Sequence, residues 1–331
     1  MLFQNSKHPI ELKVTHLNKV YDHRKEQLAL ATKDSKTRKT SLKNVLADKF
    51  EKVKNRKSAD KKPTGKVYAL DFHGDIKASH VLQLREEITA LLTNANAGDE
   101  VVVRLESGGG LVHSYGLAAA QLARVKDAGL TLTVCVDKIA ASGGYMMACV
   151  ADTILAAPFA VVGSIGVVAQ VPNFHDLLEK HDIDVDVFTA GKYKRTVTIF
   201  GKNDDEDKQK FQEELEQTHV LFKDFINQYR PQLDLEKVAT GEHWYGSDAL
   251  ALNLVDKLQT SDSYLLEKIQ AQQVYALHSR QKPTIAEKLG FGNAAHATFQ
   301  GIIKMGVGVA VDTLAEKLPE ALMKVEQGKK F

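Results

Sequence analysis

Three short stretches hold residues whose types and spacing can do chemistry. Ser142 lies in Ala141-Ser142-Gly143-Gly144-Tyr145, among small residues at the start of an expected helix. Lys194 lies in Gly191-Lys192-Tyr193-Lys194-Arg195, just after an apolar stretch. Upstream, Gly108-Gly109-Gly110 closes the stretch Val101-Val102-Val103-Arg104-Leu105-Glu106-Ser107. A serine hydroxyl is a poor nucleophile until a base takes its proton. A lysine amine is such a base only when neutral, which its ordinary pKa near 10.4 forbids at neutral pH. Burial in apolar surroundings lowers that value by roughly 3–5 units. Lys194 follows Val185, Val187 and Phe188 and precedes Val197 and Ile199, neighbours that could bury it; Lys192 is the competing lysine. A glycine turn after a strand can offer bare N–H groups to an oxyanion. Nucleophile, base and oxyanion turn together describe an amide-bond hydrolase.

Each element also has a plainer reading. Serine is a favoured helix N-cap, and a lysine beside Lys192 and Arg195 can simply face water. The glycine run is no P-loop, because no Gly-Lys-Ser/Thr closes it. Ser164, in Gly163-Ser164-Ile165-Gly166, can orient a lysine amine or only stabilise a turn.

The surrounding pattern supplies elements to position these residues. Lys66 to Phe72 alternates as a strand, and Ala78 to Leu92 repeats its apolar residues at helical spacing. Residues 101–105 read as a buried parallel strand. The spacing then predicts a helix over Leu111–Val125, a strand over Thr131–Val136 and a short buried helix over Ala141–Val150. Strands follow at Thr153–Ala156 and Val161–Val168, with a helix from Pro172 through Leu178 and a strand over Asp184–Thr189. A long charged helix over Asp204–Gln228 comes next, then a small helix and strand over Gly246–Asp256. Strands alternating with helices across residues 66–260 imply an α/β domain built of crossover units.

Outside that block the chain is polar or weakly patterned. Residues 1–65 carry 17 Lys/Arg against 7 Asp/Glu, although the whole chain of 331 residues has a net charge of only +2. They read as a flexible or loosely helical basic arm, able to meet an anionic lipid surface. Residues 261–331 read as a C-terminal tail, with an amphipathic helix over 299–325 for self-association or surface contact. No signal peptide is expected, since Lys7, His8, Glu11 and Lys13 interrupt the first residues. No stretch has the length of a membrane span. Cys135 and Cys149, both in apolar surroundings, are expected as buried free thiols.

Ser142 within Ala-Ser-Gly-Gly-Tyr, then Val162-Gly163-Ser164-Ile165-Gly166-Val167, then the lysine of Gly-Lys-Tyr-Lys-Arg resemble, in order and spacing, the S49 serine peptidases. This is the signal peptide peptidase A family, and the SohB branch is the nearer match. Arg104 to Ser107, Ser142 to Asp152, Val161 to Gln170 and Gly241 to Gly246 extend the resemblance, which covers residues 66–260. It implies a Clp protease/crotonase-like ββα superhelix. It implies Ser142 as nucleophile, Lys194 as general base and Ser164 as the residue holding the lysine. The backbone N–H groups of Gly109 and Gly143 would form the oxyanion hole, and no cofactor or metal is implied. Substrates would be peptides or membrane-protein fragments, signal-peptide-like, cleaved by a homo-oligomer associated with a bacterial inner membrane. Two departures stand out: Gly108 occupies the position where the family usually has proline, and the membrane span usual at the start of that branch is absent from this sequence.

Three rival readings remain open at this level. A Ser–His pair would draw on His175 or His113. A crotonase-like acyl-CoA enzyme would need positioned carboxylates, for which Glu106 is the near candidate. A basic-armed scaffold or nucleic-acid binder would rely on residues 1–65, but base stacking needs aromatic residues interleaved with the charges, and that arm lacks them. Nucleic acid is therefore not an expected partner.

Overall fold

The computed structural model describes residues 10–32, 65–191 and 193–281. Its centre is a set of parallel strands buried on both faces, which is why their sequences are almost continuously apolar. They are β2 (Val67–Gly74), β3 (Glu100–Ser107), β4 (Thr131–Val136) and β6 (Thr153–Ala156). Alternate residues divide between two cores. Leu70, Phe72, Val103, Leu105, Val134 and Val136 face α2 (Val81–Leu92) and α3 (Val112–Asp127). Val67, Ala69, Val102 and Cys135 face the other way, against Leu265 of α9 (Ser261–Ala271). At roughly 1.5–3 kcal/mol for each fully buried large apolar side chain, this double layer dominates the stability.

The sheet extends beyond the expected block on both sides. β1 (Ile10–His16) leads into α1 (Leu17–Ala31), and β10 (Val274–Gln281) pairs parallel with β2 through Val274↔Val67. The full order is β1-β10-β2-β3-β4-β6-β9, with β9 (Lys257–Leu258) at the far end. Asn18 ties α1 to the β10 end: its Nδ2 donates to the carbonyls of Ile269 and Gln272 at 2.9 Å, and its Oδ1 accepts from the Val274 N–H at 2.8 Å. The chain divides into two compact units, Leu12–Ser279 and a second formed by Met1–Glu11 with Arg280–Phe331. Of the second unit only residues 10, 11, 280 and 281 are described, and Arg280 pairs with Glu11 at 3.2 Å. The expected amphipathic helix over 299–325 lies outside the described residues, as does Lys192.

A smaller layer leads to Ser142 and Ser164. β5 (Ile139–Ala141) follows β4 and runs into α4 (Gly143–Ala148), and β7 (Val161–Gly163) follows β6. Each long strand is thus succeeded by a short one that leaves the main path, the ββα repeat implied by the resemblance. β5 pairs with the end of β3 through Ser107↔Ala140 and parallel with β7; β7 pairs antiparallel with β8 (His243–Tyr245). α7 (Leu235–Val238) and α8 (Gly246–Ala251) flank that strand.

Residues 169–203 depart from expectation. α5 (His175–Glu179) forms, but Asp184–Thr189 is not a strand. Its alternation of Asp184, Val185, Asp186 and Val187 finds no sheet edge, and Phe188 is 91% exposed. The excursion is closed at its base. Asn173 Nδ2 donates to the Thr198 and Gly201 carbonyls at 3.0 Å, and the Phe174 N–H to the Ile199 carbonyl at 2.8 Å. The long helix α6 (Asp205–Tyr229) then starts on a reciprocal cap in which Asp204 accepts from the Asp207 N–H and Asp207 from the Asp204 N–H. Its far end is fixed by the buried Arg230, which makes two bonds to Asp256 at 2.8 and 2.9 Å and one to the Asn253 carbonyl at 2.7 Å.

Candidate active site

Ser142 occupies the single residue between β5 and α4. Its φ of 52° and ψ of −119° belong to a region that side-chain-bearing residues rarely enter. Such a conformation costs on the order of 1–3 kcal/mol and persists only where the surroundings impose it. Here the Ser142 N–H donates to the Gly163 carbonyl at 2.8 Å, and its carbonyl accepts from the Met146 N–H at 3.0 Å. The result is a sharp strand-to-helix turn that presents the hydroxyl, the device by which many hydrolases expose a serine. Gly143 is required by close approach, because a Cβ there would lie 2.4 Å from the Tyr115 ring.

Ser164 is set beside Ser142 by register. Ala141 pairs with Gly163 in β5–β7, so the next residue of each strand, Ser142 and Ser164, leaves the sheet at the same level. Ser164 also has φ 52°, held by its N–H bond to the Glu242 carbonyl at 2.6 Å. Both serines line a cavity of about 680 Å³, together with Gly108, Gly109 and Gly110. A narrower recess opens beside it, lined by Gly110, Ser142, Gly143 and the apolar Val112, Met146, Val167 and Phe222.

The glycine turn is held by a chain of bonds whose proton order can be read. The Tyr115 hydroxyl donates to the Asp75 carbonyl at 2.7 Å, which leaves its oxygen to accept from Ser107 Oγ at 2.5 Å. Ser107 Oγ in turn accepts from the Gly109 N–H at 3.1 Å. The expected oxyanion donor Gly109 therefore spends its N–H inside the turn. The N–H groups of Gly110 and Gly143 have no hydrogen-bond partner among the described residues, and both residues line the recess beside Ser142. Three adjacent glycines in a sequence do not reveal which N–H is free; the Ser107 side chain decides it.

Lys194 faces solvent, as its plainer reading has it, and does not sit where the resemblance implies a general base. It is exposed and is not among the residues that line either the cavity or the recess. Its N–H donates to the Gly191 carbonyl at 3.1 Å, and the neighbouring Tyr193 ring lies under Lys210 of α6 at 5.1 Å. The apolar residues meant to bury it, Val185, Val187 and Phe188, are themselves exposed. The histidines of the rival pair do not line the cavity either: His113 is exposed on α3, and His175 pairs with Asp176 at 2.9 Å. Glu106 belongs to a separate cleft, where it binds Lys138 at 3.0 Å. The residue missed from the sequence is His219 of α6, which reaches the cavity wall. Its one signal was position, one residue after Thr218 and three before the buried Phe222.

The two cysteines are buried free thiols. Burial pushes Cys135 up to about 12 and Cys149 higher still, so neither offers a thiolate at neutral pH.

A strained serine at a strand–helix turn, with unpaired N–H donors beside it in a cavity, is the geometry that acyl transfer by a serine hydrolase requires. Comparison narrows the class. The model of peptidase family S49 matches residues 124–275, and that of the peptidase family S49 N-terminal region matches residues 2–122. "Probable protease SohB" of Haemophilus influenzae is 59% identical over 240 residues, 72% of this chain and 68% of that one. The protein of the same name from Buchnera aphidicola subsp. Schlechtendalia chinensis is 47% identical, over 80% of this chain and 88% of that one. Among solved structures, the 1510-N membrane-bound stomatin-specific protease aligns at 13% identity and a TM-score of 0.43, covering 67% of this chain and 99% of that one. The chain belongs to peptidase family S49. It is a serine peptidase, and peptides are its substrates.

Proposed function

We propose that Ser142 is the nucleophile of this peptidase and that Lys194 is its general base. Ser142 attacks the peptide carbonyl, Lys194 takes the hydroxyl proton and passes it to the leaving amine, and water then releases the acyl group. The oxyanion is held by the N–H groups of Gly143 and Gly110, the latter in place of Gly109. The observation that carries this reading is the strained Ser142 turn beside two unpaired N–H groups. Ser164, next to Ser142 in register, receives the lysine amine.

A lysine amine acts as a base only when neutral, a state that apolar burial favours, so the base is competent only when Lys194 enters the cavity. Exposed Ile183, Val185 and Phe188 on the same excursion form a surface for a second copy of the chain. Assembly there removes water from around Lys194 and supplies the apolar surroundings a neutral amine needs. The narrow recess takes a small apolar side chain, which suits signal-peptide-like or membrane-protein fragments as substrates. No helix among the described residues is long and apolar enough to cross a membrane. The basic residues of 1–65 provide electrostatic attachment to an anionic inner-membrane surface.

The test is hydrolysis of apolar fluorogenic peptides by the wild type beside Ser142→Ala, Lys194→Ala and Lys192→Ala. Loss with the first two and retention with the third supports the dyad; full activity in Lys194→Ala refutes the base.

A further inference from the structure

His219 is the one titratable side chain among the described residues lining the Ser142 cavity. Its Nε2 is buried and has no hydrogen-bond partner among the described residues. An unsatisfied buried nitrogen costs about 1–3 kcal/mol, and nearly all buried polar groups avoid that cost by pairing. The wall around it mixes polar and apolar groups: Ser164, Val167 and Val168 on one stretch and Thr240 on another. Thr218 and Phe222 of the same helix border the narrow recess, so His219 lies one helical step from the place where an apolar substrate side chain would sit.

We infer that His219 is a specificity residue: its ring turns on substrate binding to bring the unpaired Nε2 to a hydrogen-bonding side chain of the substrate, one or two residues from the one held in the recess. The preferred peptides then combine a small apolar residue with a neighbouring Ser, Thr, Asn or Gln. An all-apolar peptide leaves Nε2 buried and unpaired, and sites built to hydrogen-bond a substrate group discriminate strongly against analogues that lack it. The inference rests on the assignment of the Ser142 cavity as the active site.

The experiment uses the full chain and pairs of fluorogenic peptides differing only by Thr or Val, scanned through the positions flanking the apolar residue. These side chains share a shape, so the pair isolates the hydrogen bond. At one position the wild type is expected to favour Thr at least about tenfold in kcat/KM, the equivalent of about 1.4 kcal/mol. His219→Leu collapses that ratio to about one, mainly through KM of the Thr peptide, without lowering Tm, because an apolar isostere relieves the unpaired nitrogen. His219→Gln, which keeps donor and acceptor, preserves a preference. No Thr preference at any position, or an equal fall on both peptides with His219→Leu, overturns the inference. Ser142→Ala is run alongside: activity surviving there on both peptides shows that the site assignment itself has failed, a result distinct from an unaltered Thr/Val ratio.

Discussion

Ser142 and Ser164 are neighbours by register: each follows one member of the Ala141↔Gly163 pair, and each leaves its strand with φ 52°. The Ser142 N–H crosses to the Gly163 carbonyl at 2.8 Å, so the Ser142 turn is braced by the strand that leads to the second serine. Two residues 22 positions apart in the chain thereby form one rigid platform. Anything that loosens β7 should misplace Ser142.

The first prediction concerns the missing proline. Gly108 is not among the glycines with positive φ, its N–H has no hydrogen-bond partner among the described residues, and a Cβ there would meet only Ile139 Cδ1 at 3.8 Å. The preceding Ser107 is in a strand, which suits a residue before proline. Gly108→Pro is expected to fold, keep its activity and gain about 0.4–1 kcal/mol by restricting the unfolded chain. Chemical denaturation measures it; a loss above about 1 kcal/mol would show that the turn needs glycine there.

Gly110 should tolerate nothing larger. A Cβ would lie 2.1 Å from the Ile76 carbonyl oxygen, a backbone atom that cannot step aside alone. Gly110→Ala must displace the turn and its N–H. The expected effect is a fall in kcat on the order of 10²–10³, the usual result of losing an oxyanion donor. An unchanged kcat would return the role to Gly109.

Glu87 should make stability fall with pH. It is 2% exposed, and its Oε1 accepts from Ser279 N and Oγ at 2.6 and 2.9 Å, while burial raises its carboxyl to about 7. The folded state therefore binds a proton more tightly than the unfolded chain. The associated stability is complete below about 4.5, the value of a free carboxyl, and is lost as pH rises through about 7. Glu87→Gln keeps an acceptor for Ser279 and removes the charge. Thermal unfolding should find it more stable than wild type at pH 8, by about 1–3 kcal/mol, with the difference shrinking towards pH 5. An equal pH dependence in both would contradict the assignment.

Arg230 anchors the end of the helix that carries His219. Its side chain is 3% exposed, and Arg230→Ala strands Asp256, which also accepts from the Ile154 N–H at 2.7 Å. Breaking such a pair costs about 3–5 kcal/mol; partial exposure of Asp256 places the expected loss at the lower end. Urea unfolding checks it, and a loss under about 1 kcal/mol would mean that packing alone fixes α6.

The sequence was legible where burial is two-sided or the apolar period is clear. β2, β3, β4, α2 and α3 sit where their patterns put them, because residues such as Val101 to Val103 can only be inside. β1 was missed although Ile10, Leu12 and Val14 alternate, since its basic context reads as a solvated arm. Asp184–Thr189 failed for the converse reason: alternation defines a face but not the partner strand, and no sheet edge meets it. Ser142 and Ser164 were visible as motifs, whereas their adjacency depends on the β5–β7 register. Nothing in the sequence shows that Ser107, two residues earlier, turns back to accept from the Gly109 N–H. For Lys194 the apolar neighbours in sequence are no guide to burial, because Val185, Val187 and Phe188 are themselves exposed.

The most direct measurement is covalent: the full chain is treated with a fluorophosphonate, and the adduct is located by peptide mass mapping in wild type and Lys194→Ala. A single adduct on Ser142, strongly reduced in Lys194→Ala, is the predicted result. An adduct on another residue, or equal labelling without Lys194, would contradict the Ser142–Lys194 site.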